Sequence, residues 1–289
     1  MLEFDLFRPQ NLQEALDLLA EYKGSARVMA GGTDLMIALR AKKGMENVKY
    51  IIDISRLQEL AYIREGEGLE IGPLATMTQV AESPVVRQCA GVLAAAASTV
   101  GSPQIRNRGT IGGNVVNAAV CADTVAPLVA LEAKVKLERK GGSRWLPLDQ
   151  FITGPNRTQL AADELMTGIV FAKLPANAGW GFMRLARREA LAIARMNVAV
   201  VIKRDSQGKV EDASIVPGAV LPRPGRVTEA EKLLIGTIPD GALARRAGEA
   251  VAEAMISAAG RRWSTPYKEP AIIALTERAI KQALEVEWR

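Results

Sequence analysis

Apolar positions at Leu12, Ala15, Leu16 and Leu19 repeat with the i, i+3, i+4, i+7 spacing of one helix face, and Asn11 with Glu14 supplies the start signal. The period then changes. Arg27-Val28-Met29-Ala30 reads as a short strand running into a glycine pair, Leu35, Met36, Ala38 and Leu39 resume helical spacing, and Tyr50 to Ile54 is a second strand. Leu69-Glu70-Ile71-Gly72 adds another strand. Thr78 is placed to cap a helix toward Glu82, and the alanine-rich stretch from Pro84 to Val100 reads as one helix ending at Gly101-Ser102-Pro103.

Further on, Ala126 to Leu131 is apolar, Val135 and Leu137 alternate with charges, and Trp145 to Leu148 and Gly168 to Ala172 look like strands. The cluster of Pro, Asn, Gly and small residues from Lys173 to Gly179 marks a linker. Beyond it, strands at Phe182 to Arg187, Val198 to Ile202 and Ala213 to Val216 precede helices near Thr228 to Leu234, Asp240 to Ser257 and Pro270 to Val286. The expected fold class is α+β, with one domain over residues 1–175, itself in parts of about 1–55 and 56–175, and a second over 180–289. The second should hold a three-stranded antiparallel sheet and helices.

Composition narrows the function. The chain has 289 residues, 48% hydrophobic and 24% charged, enough for two globular cores. No apolar run reaches the roughly 18 to 20 residues of a membrane helix, and Met1-Leu2-Glu3-Phe4-Asp5 lacks the basic and apolar regions of a signal peptide. No membrane insertion and a cytoplasmic location are therefore expected. Histidine is absent, which removes the usual general base and metal ligand at neutral pH. The two cysteines, Cys89 and Cys121, form no CxxC pair and read as small buried residues or free thiols, with no metal site on this chain. Net charge is +5, basic residues gather only around Arg184, Arg187, Arg188 and Arg195 and at Arg261-Arg262, and aromatics are 4%. That distribution argues against nucleic acid as a partner.

The candidate chemistry lies in two glycine turns of similar style, Ala30-Gly31-Gly32-Thr33-Asp34 and Thr110-Ile111-Gly112-Gly113-Asn114. Glycine permits positive φ and lets an anion approach successive backbone N–H groups, while Thr and Asn add side-chain hydrogen bonds. Neither the G-x-G-x-x-G fingerprint nor a P-loop is present, so phosphate would be held in another manner. Two such turns point to one long ligand gripped twice.

Three segments, Val28-Met29-Ala30-Gly31-Gly32-Thr33-Asp34-Leu35, then Gln104 to Asn114, then Ala122-Asp123-Thr124-Val125-Ala126-Pro127, together carry a resemblance. In order and spacing they resemble the FAD-binding medium subunit of the molybdenum hydroxylases, a family that includes bacterial xanthine dehydrogenases, nicotinate and quinoline oxidoreductases and aerobic carbon monoxide dehydrogenase. Phe182-Met183-Arg184-Leu185-Ala186-Arg187-Arg188-Glu189 resembles the family's F-x-K-x-x-R-R segment, and the similarity spans the chain.

The resemblance implies a two-part FAD-binding domain of the vanillyl-alcohol-oxidase (PCMH) type followed by a C-terminal α+β domain of the flavoprotein subunit. It implies that Val28, Met29, Ala30, Gly31, Gly32, Thr33, Asp34 and Leu35 wrap the diphosphate and that Thr110, Ile111, Gly112, Gly113 and Asn114 hold it from the other side. Asp123 matches a position that contacts cofactor sugar hydroxyls, or else caps the following helix. Val100 and Met166 match positions lining the flavin, or else belong to the core. Arg184 supplies positive charge beside the reduced cofactor, or else lies on a surface strand. No residue of this chain is assigned a catalytic role. The chain departs from the family pattern at Met183 and at Ala192, where relatives tend to carry Asp before the isoleucine.

The implied work is electron transfer. Substrate would be hydroxylated at a molybdenum cofactor on a large molybdopterin-binding subunit, and electrons would pass through [2Fe-2S] clusters on a small subunit to FAD here. From FAD they would go to NAD+, oxygen or a quinone, in a complex that is a dimer of heterotrimers. Two cysteines cannot hold the extra [4Fe-4S] cluster of some relatives. The alternative is a self-sufficient FAD-dependent reductase of the same fold, which would need a proton donor and a substrate pocket within one chain. A non-catalytic nucleotide-binding module is a third reading, separated from the others by the absence of redox-active flavin.

Overall fold

The structure, a computed structural model, describes residues 3–42, 44–188 and 191–286. Glu189 of the F-x-K-x-x-R-R-like segment lies outside the described residues. The Asn11 side chain accepts from the Glu14 N–H at 2.9 Å and starts the helix Leu12–Tyr22, which buries Ala15, Leu16 and Leu19. This helix shares a core with Ala26, Ile52 and Ile54. Strands Asp5–Phe7, Tyr50–Asp53 and Ala26–Met29 form a parallel sheet with Tyr50–Asp53 in the middle. Ala26–Met29 ends at the first glycine turn, and the helix Leu35–Ala41 leaves it.

A second, antiparallel sheet orders its strands Ile63–Glu65, Gly68–Ile71, Leu165–Ala172, Lys134–Arg139 and Gly142–Pro147. Leu69, Ile71, Val135, Leu137 and Ile169 from this sheet pack with Leu93, Ile111 and Leu128 from the helices Gly91–Ser98, Ile111–Asn117 and Val125–Ala130. Thr76, not Thr78, caps the helix Met77–Glu82. The reason is spacing: the residue three beyond Thr76 is Gln79, whose carboxamide accepts from the Thr76 N–H at 2.8 Å, whereas three beyond Thr78 stands Ala81. The alanine-rich stretch also differs from expectation. It is two helices, Pro84–Cys89 and Gly91–Ser98, broken at Ala90, whose φ of −154° and ψ of 50° are not helical, and the Trp180 indole fills the space beside Gly91.

The strands Ala178–Ala186, Ala194–Arg204 and Val210–Gly218 form the third sheet. Alternation along it decides how the chain holds together. Val198, Val200 and Ile202 pack with the helices Thr228–Leu234, Gly241–Ala259 and Thr265–Leu284, while Ala199, Val201, Val216, Trp180 and Phe182 join the core of the antiparallel sheet. One sheet therefore serves two cores. Gly179, read as the end of the linker, lies in the first of these strands, where the Ala283 backbone packs against it. Among the described residues no helix is long and apolar enough to cross a membrane.

Arg226 is a second tie between the cores. Its Nε donates to Glu231 at 3.0 Å and Nη2 to the Ala213 carbonyl at 2.9 Å, while Nη1 reaches Glu132. Glu231 is only 3% exposed and also accepts the Ile215 N–H at 2.9 Å. Arg226→Met strands that carboxylate without its cation, and a loss of about 3 kcal/mol is expected. Urea unfolding should show a lower midpoint with an unchanged slope.

Candidate cofactor site

The two glycine turns, distant in sequence, touch. The backbone of Arg108 and Gly109 fills the space in which a Gly31 side chain would project, and the Thr33 hydroxyl lies against Gly109. The contact is anchored from below: Met77 N–H donates to the Gly109 carbonyl at 2.9 Å and Ile111 N–H to Ala75 at 2.9 Å. Gly31 is thus a glycine because another loop crosses it, and Gly112 because Pro73 does. Gly32 alone among the four adopts positive φ, +73°.

The backbone donors divide unevenly between the turns. Among the described residues the N–H groups of Gly31, Gly32, Thr33 and Asp34 meet no protein acceptor. In the second turn, every N–H from Ile111 to Asn114 is already bonded, to Ala75, Pro73, the Thr110 hydroxyl and the Thr110 carbonyl in turn. The expectation that both turns present free N–H groups therefore needs correction. Thr110 spends its hydroxyl capping the helix Ile111–Asn117, and this turn instead offers exposed Gly113, whose Cα has only Thr110 Oγ1 nearby, 3.0 Å from where a Cβ would stand. Asn114 accepts from Thr124 at 2.7 Å, which ties the turn to the Asp123 segment.

Asp123 is 6% exposed and holds the turn region to the third sheet. Arg184 Nε donates to both of its oxygens at 3.2 Å and Asn197 Nδ2 donates at 3.0 Å. Arg184 and Asn197 stand directly opposite each other on neighbouring strands, on the face that joins the antiparallel-sheet core. Burial pushes the Asp123 carboxyl above its ordinary value, against the pull of Arg184 and Asn197. The capping alternative does not hold, because Thr124 is the cap of Val125–Ala130. Arg184 also donates to the Ala192 carbonyl, and its side chain is 9% exposed, so it is no surface residue. Its charge is balanced by Asp123. Ala192 is held through its backbone.

Of the other sequence candidates, Val28, Met29, Ala30 and Leu35 are half-buried around the first turn, and Val100 is half-buried with its carbonyl accepting from Arg106 at 3.1 Å. The Met166 side chain is enclosed in the antiparallel-sheet core at 2% exposure and faces no opening. Sequence reasoning missed two neighbours. Asn197 is a fully buried amide whose signal was a polar residue ahead of the apolar run Val198 to Ile202. Cys121 lies within electrostatic reach of Asp34, Asp123 and Arg184; burial chiefly pushes its thiol up, so it stays protonated at neutral pH.

The site fits an extended anionic ligand: unpaired N–H groups on one turn, a Cβ-free surface on the next, and a buried charged pair beyond. Comparison with known proteins defines it more closely. Residues 2–174 match the FAD binding domain in molybdopterin dehydrogenase, and residues 181–283 match the CO dehydrogenase flavoprotein C-terminal domain. The nicotinate dehydrogenase FAD-subunit of Eubacterium barkeri is 39% identical over 241 residues, 82% of this chain and 81% of that one. The carbon monoxide dehydrogenase medium chain of Hydrogenophaga pseudoflava is 31% identical, covering 99% of this chain and 97% of its own. The solved structure of carbon monoxide dehydrogenase from that organism, in a form lacking the Mo-pyranopterin moiety of the molybdenum cofactor, contains a chain that superposes with a TM-score of 0.91 at 30% identity and 98% coverage of both. The chain belongs to the FAD-binding medium subunits of the molybdenum hydroxylases, and it is an oxidoreductase subunit.

Proposed function

We propose that the chain relays electrons between [2Fe-2S] clusters on a small partner subunit and NAD+ or another acceptor, while a large molybdopterin-binding subunit carries the substrate site. The full assembly would be a dimer of heterotrimers. The observation that carries this reading is the cluster of acceptor-free N–H groups at Gly31 to Asp34 facing a chain with no histidine. Such a site suits a bound redox cofactor better than acid–base chemistry by side chains. FAD, when bound, supplies the ability to take up electrons and pass them on.

The protein's part is to bind and orient. The N–H groups of Gly31, Gly32, Thr33 and Asp34 would hold the diphosphate, with the Thr33 hydroxyl beside them, and Gly113 would let it lie against backbone. Asp123 would reach a sugar hydroxyl only at its small exposed edge, because Arg184 and Asn197 already engage its oxygens. Arg184 positions Asp123 and the Ala192 backbone. A self-sufficient reductase would need a proton donor at this site, and the Cys121 thiol, pushed up by burial, is a poor one.

The test uses the three-subunit complex under anaerobic conditions. Reducing the iron–sulfur subunit should bleach the bound flavin's visible absorption, and NAD+ added next should restore it with formation of NADH. Flavin that remains oxidised while the clusters are reduced overturns the relay. Bleaching that NAD+ fails to reverse, but oxygen or a quinone reverses, assigns a different acceptor.

A further inference from the structure

We propose that Arg195, Arg262, Trp263, Tyr267 and Lys268 form a docking face for a carboxylate-rich surface of a partner subunit; this rests on the reading of the chain as part of a complex. The Arg195 guanidinium lies 5.6 Å from the centre of the Tyr267 ring. Lys268, half-buried on the next residue, has its ammonium held below its ordinary value by burial and by the nearby charges of Arg262 and Arg195. Among the described residues no carboxylate pairs with Arg195, Arg262 or Lys268. Glu269, on the same turn, is taken by Arg261 at 3.1 Å.

Three cations gathered without a counter-ion repel one another, and a fold that keeps them together gains when an anion completes the group. Beside them Trp263 is 94% exposed and Tyr267 50% exposed. Ile193, 76% exposed, lies two residues from Arg195 in the chain. Arginine and aromatic side chains around an apolar centre are the composition of interface hot spots. Trp263 stands almost wholly off the surface, which favours insertion into a partner over enclosure of a small molecule. A second copy of this chain meeting the face about a two-fold axis would bring the same cations opposite each other. The complementary occupant is an acidic face of a different subunit.

The test compares the co-expressed complex built on the wild-type chain with complexes built on the double variant Arg195→Glu/Lys268→Glu and on Trp263→Ala. Subunit affinity should fall at least tenfold in each variant, wild-type assembly should weaken as salt is raised, and the double variant should lose most of that salt dependence. The isolated variants should keep the flavin content and melting temperature of the wild-type chain. Variant complexes with wild-type affinity and salt response overturn the docking face while leaving the complex itself intact. A wild-type chain that fails to assemble with its large and small subunits overturns both readings. Unchanged assembly with loss of ADP binding to the FAD-loaded complex would make the cluster a nucleotide site and overturn the docking role.

Discussion

Gly31→Ala should abolish flavin binding, and Gly113→Val should do so while leaving the protein as stable as before. The two glycines fail for different reasons. A Cβ on Gly31 overlaps the Arg108 carbonyl, so the first turn must separate from the second, at a cost of about 2 to 3 kcal/mol typical of forced overpacking. Both the melting temperature and the flavin content of the purified chain should drop. Gly113 is exposed within a helix, and a side chain there meets only Thr110 Oγ1 before reaching open space. Glycine is about 1 kcal/mol worse than alanine inside a helix, and that gain is set against a tight contact with the capping Thr110 hydroxyl, so the stability of the fold should change little. Valine at 113 does block the backbone surface on which a diphosphate would lie. Flavin titration followed by fluorescence, with thermal melts beside it, separates the two effects. Full flavin stoichiometry in Gly113→Val would remove the second turn from the binding site.

Much of this site could be read from sequence, and the reason is local chemistry. Asn11 and Glu14, the strand before Gly31, the alternating strand at Val135 and the apolar strand at Val198 are set by neighbours within a few residues, so patterning identifies them. What patterning cannot give is the partner across space. Gly31 and Gly113 look alike in sequence, yet one faces the Arg108 backbone and the other faces solvent. The approach of Trp180 to Gly91 and the pairing of Asp123 with Arg184 and Asn197 both depend on a sheet formed much later in the chain. Met166 shows the reverse: the resemblance left it lining the flavin or else in the core, and the local packing encloses it in the core.

Arg184→Met is expected to be among the most damaging single substitutions in the chain, and its penalty should depend on pH. The change removes the cation from a buried carboxylate and leaves Asn197 as the remaining donor to Asp123. Stranding one partner of a buried pair costs about 3 to 5 kcal/mol. It also frees the Ala192 carbonyl, so the segment leading into the strand Ala194–Arg204 loses its tie to the turn region. The sign of the pH effect follows from Asp123. Its folded pKa is already raised by burial above the ordinary 3.8, and Arg184 is what opposes that rise. A carboxyl with a raised folded pKa contributes stability that is complete below its unfolded pKa and is lost as pH rises through the folded one. Without Arg184 the folded value moves higher still, so the variant loses more stability than the wild type on the way from acid to neutral pH. The gap between the two proteins in chemical denaturation should therefore be widest near neutrality and narrow as pH falls and Asp123 takes up its proton in both proteins. Combining Arg184→Met with Asp123→Asn removes the stranded charge and should recover part of the loss at neutral pH. A gap that is constant from pH 4 to 7, or a double variant no better than the single one, would show that Arg184 acts by packing and not through the Asp123 charge.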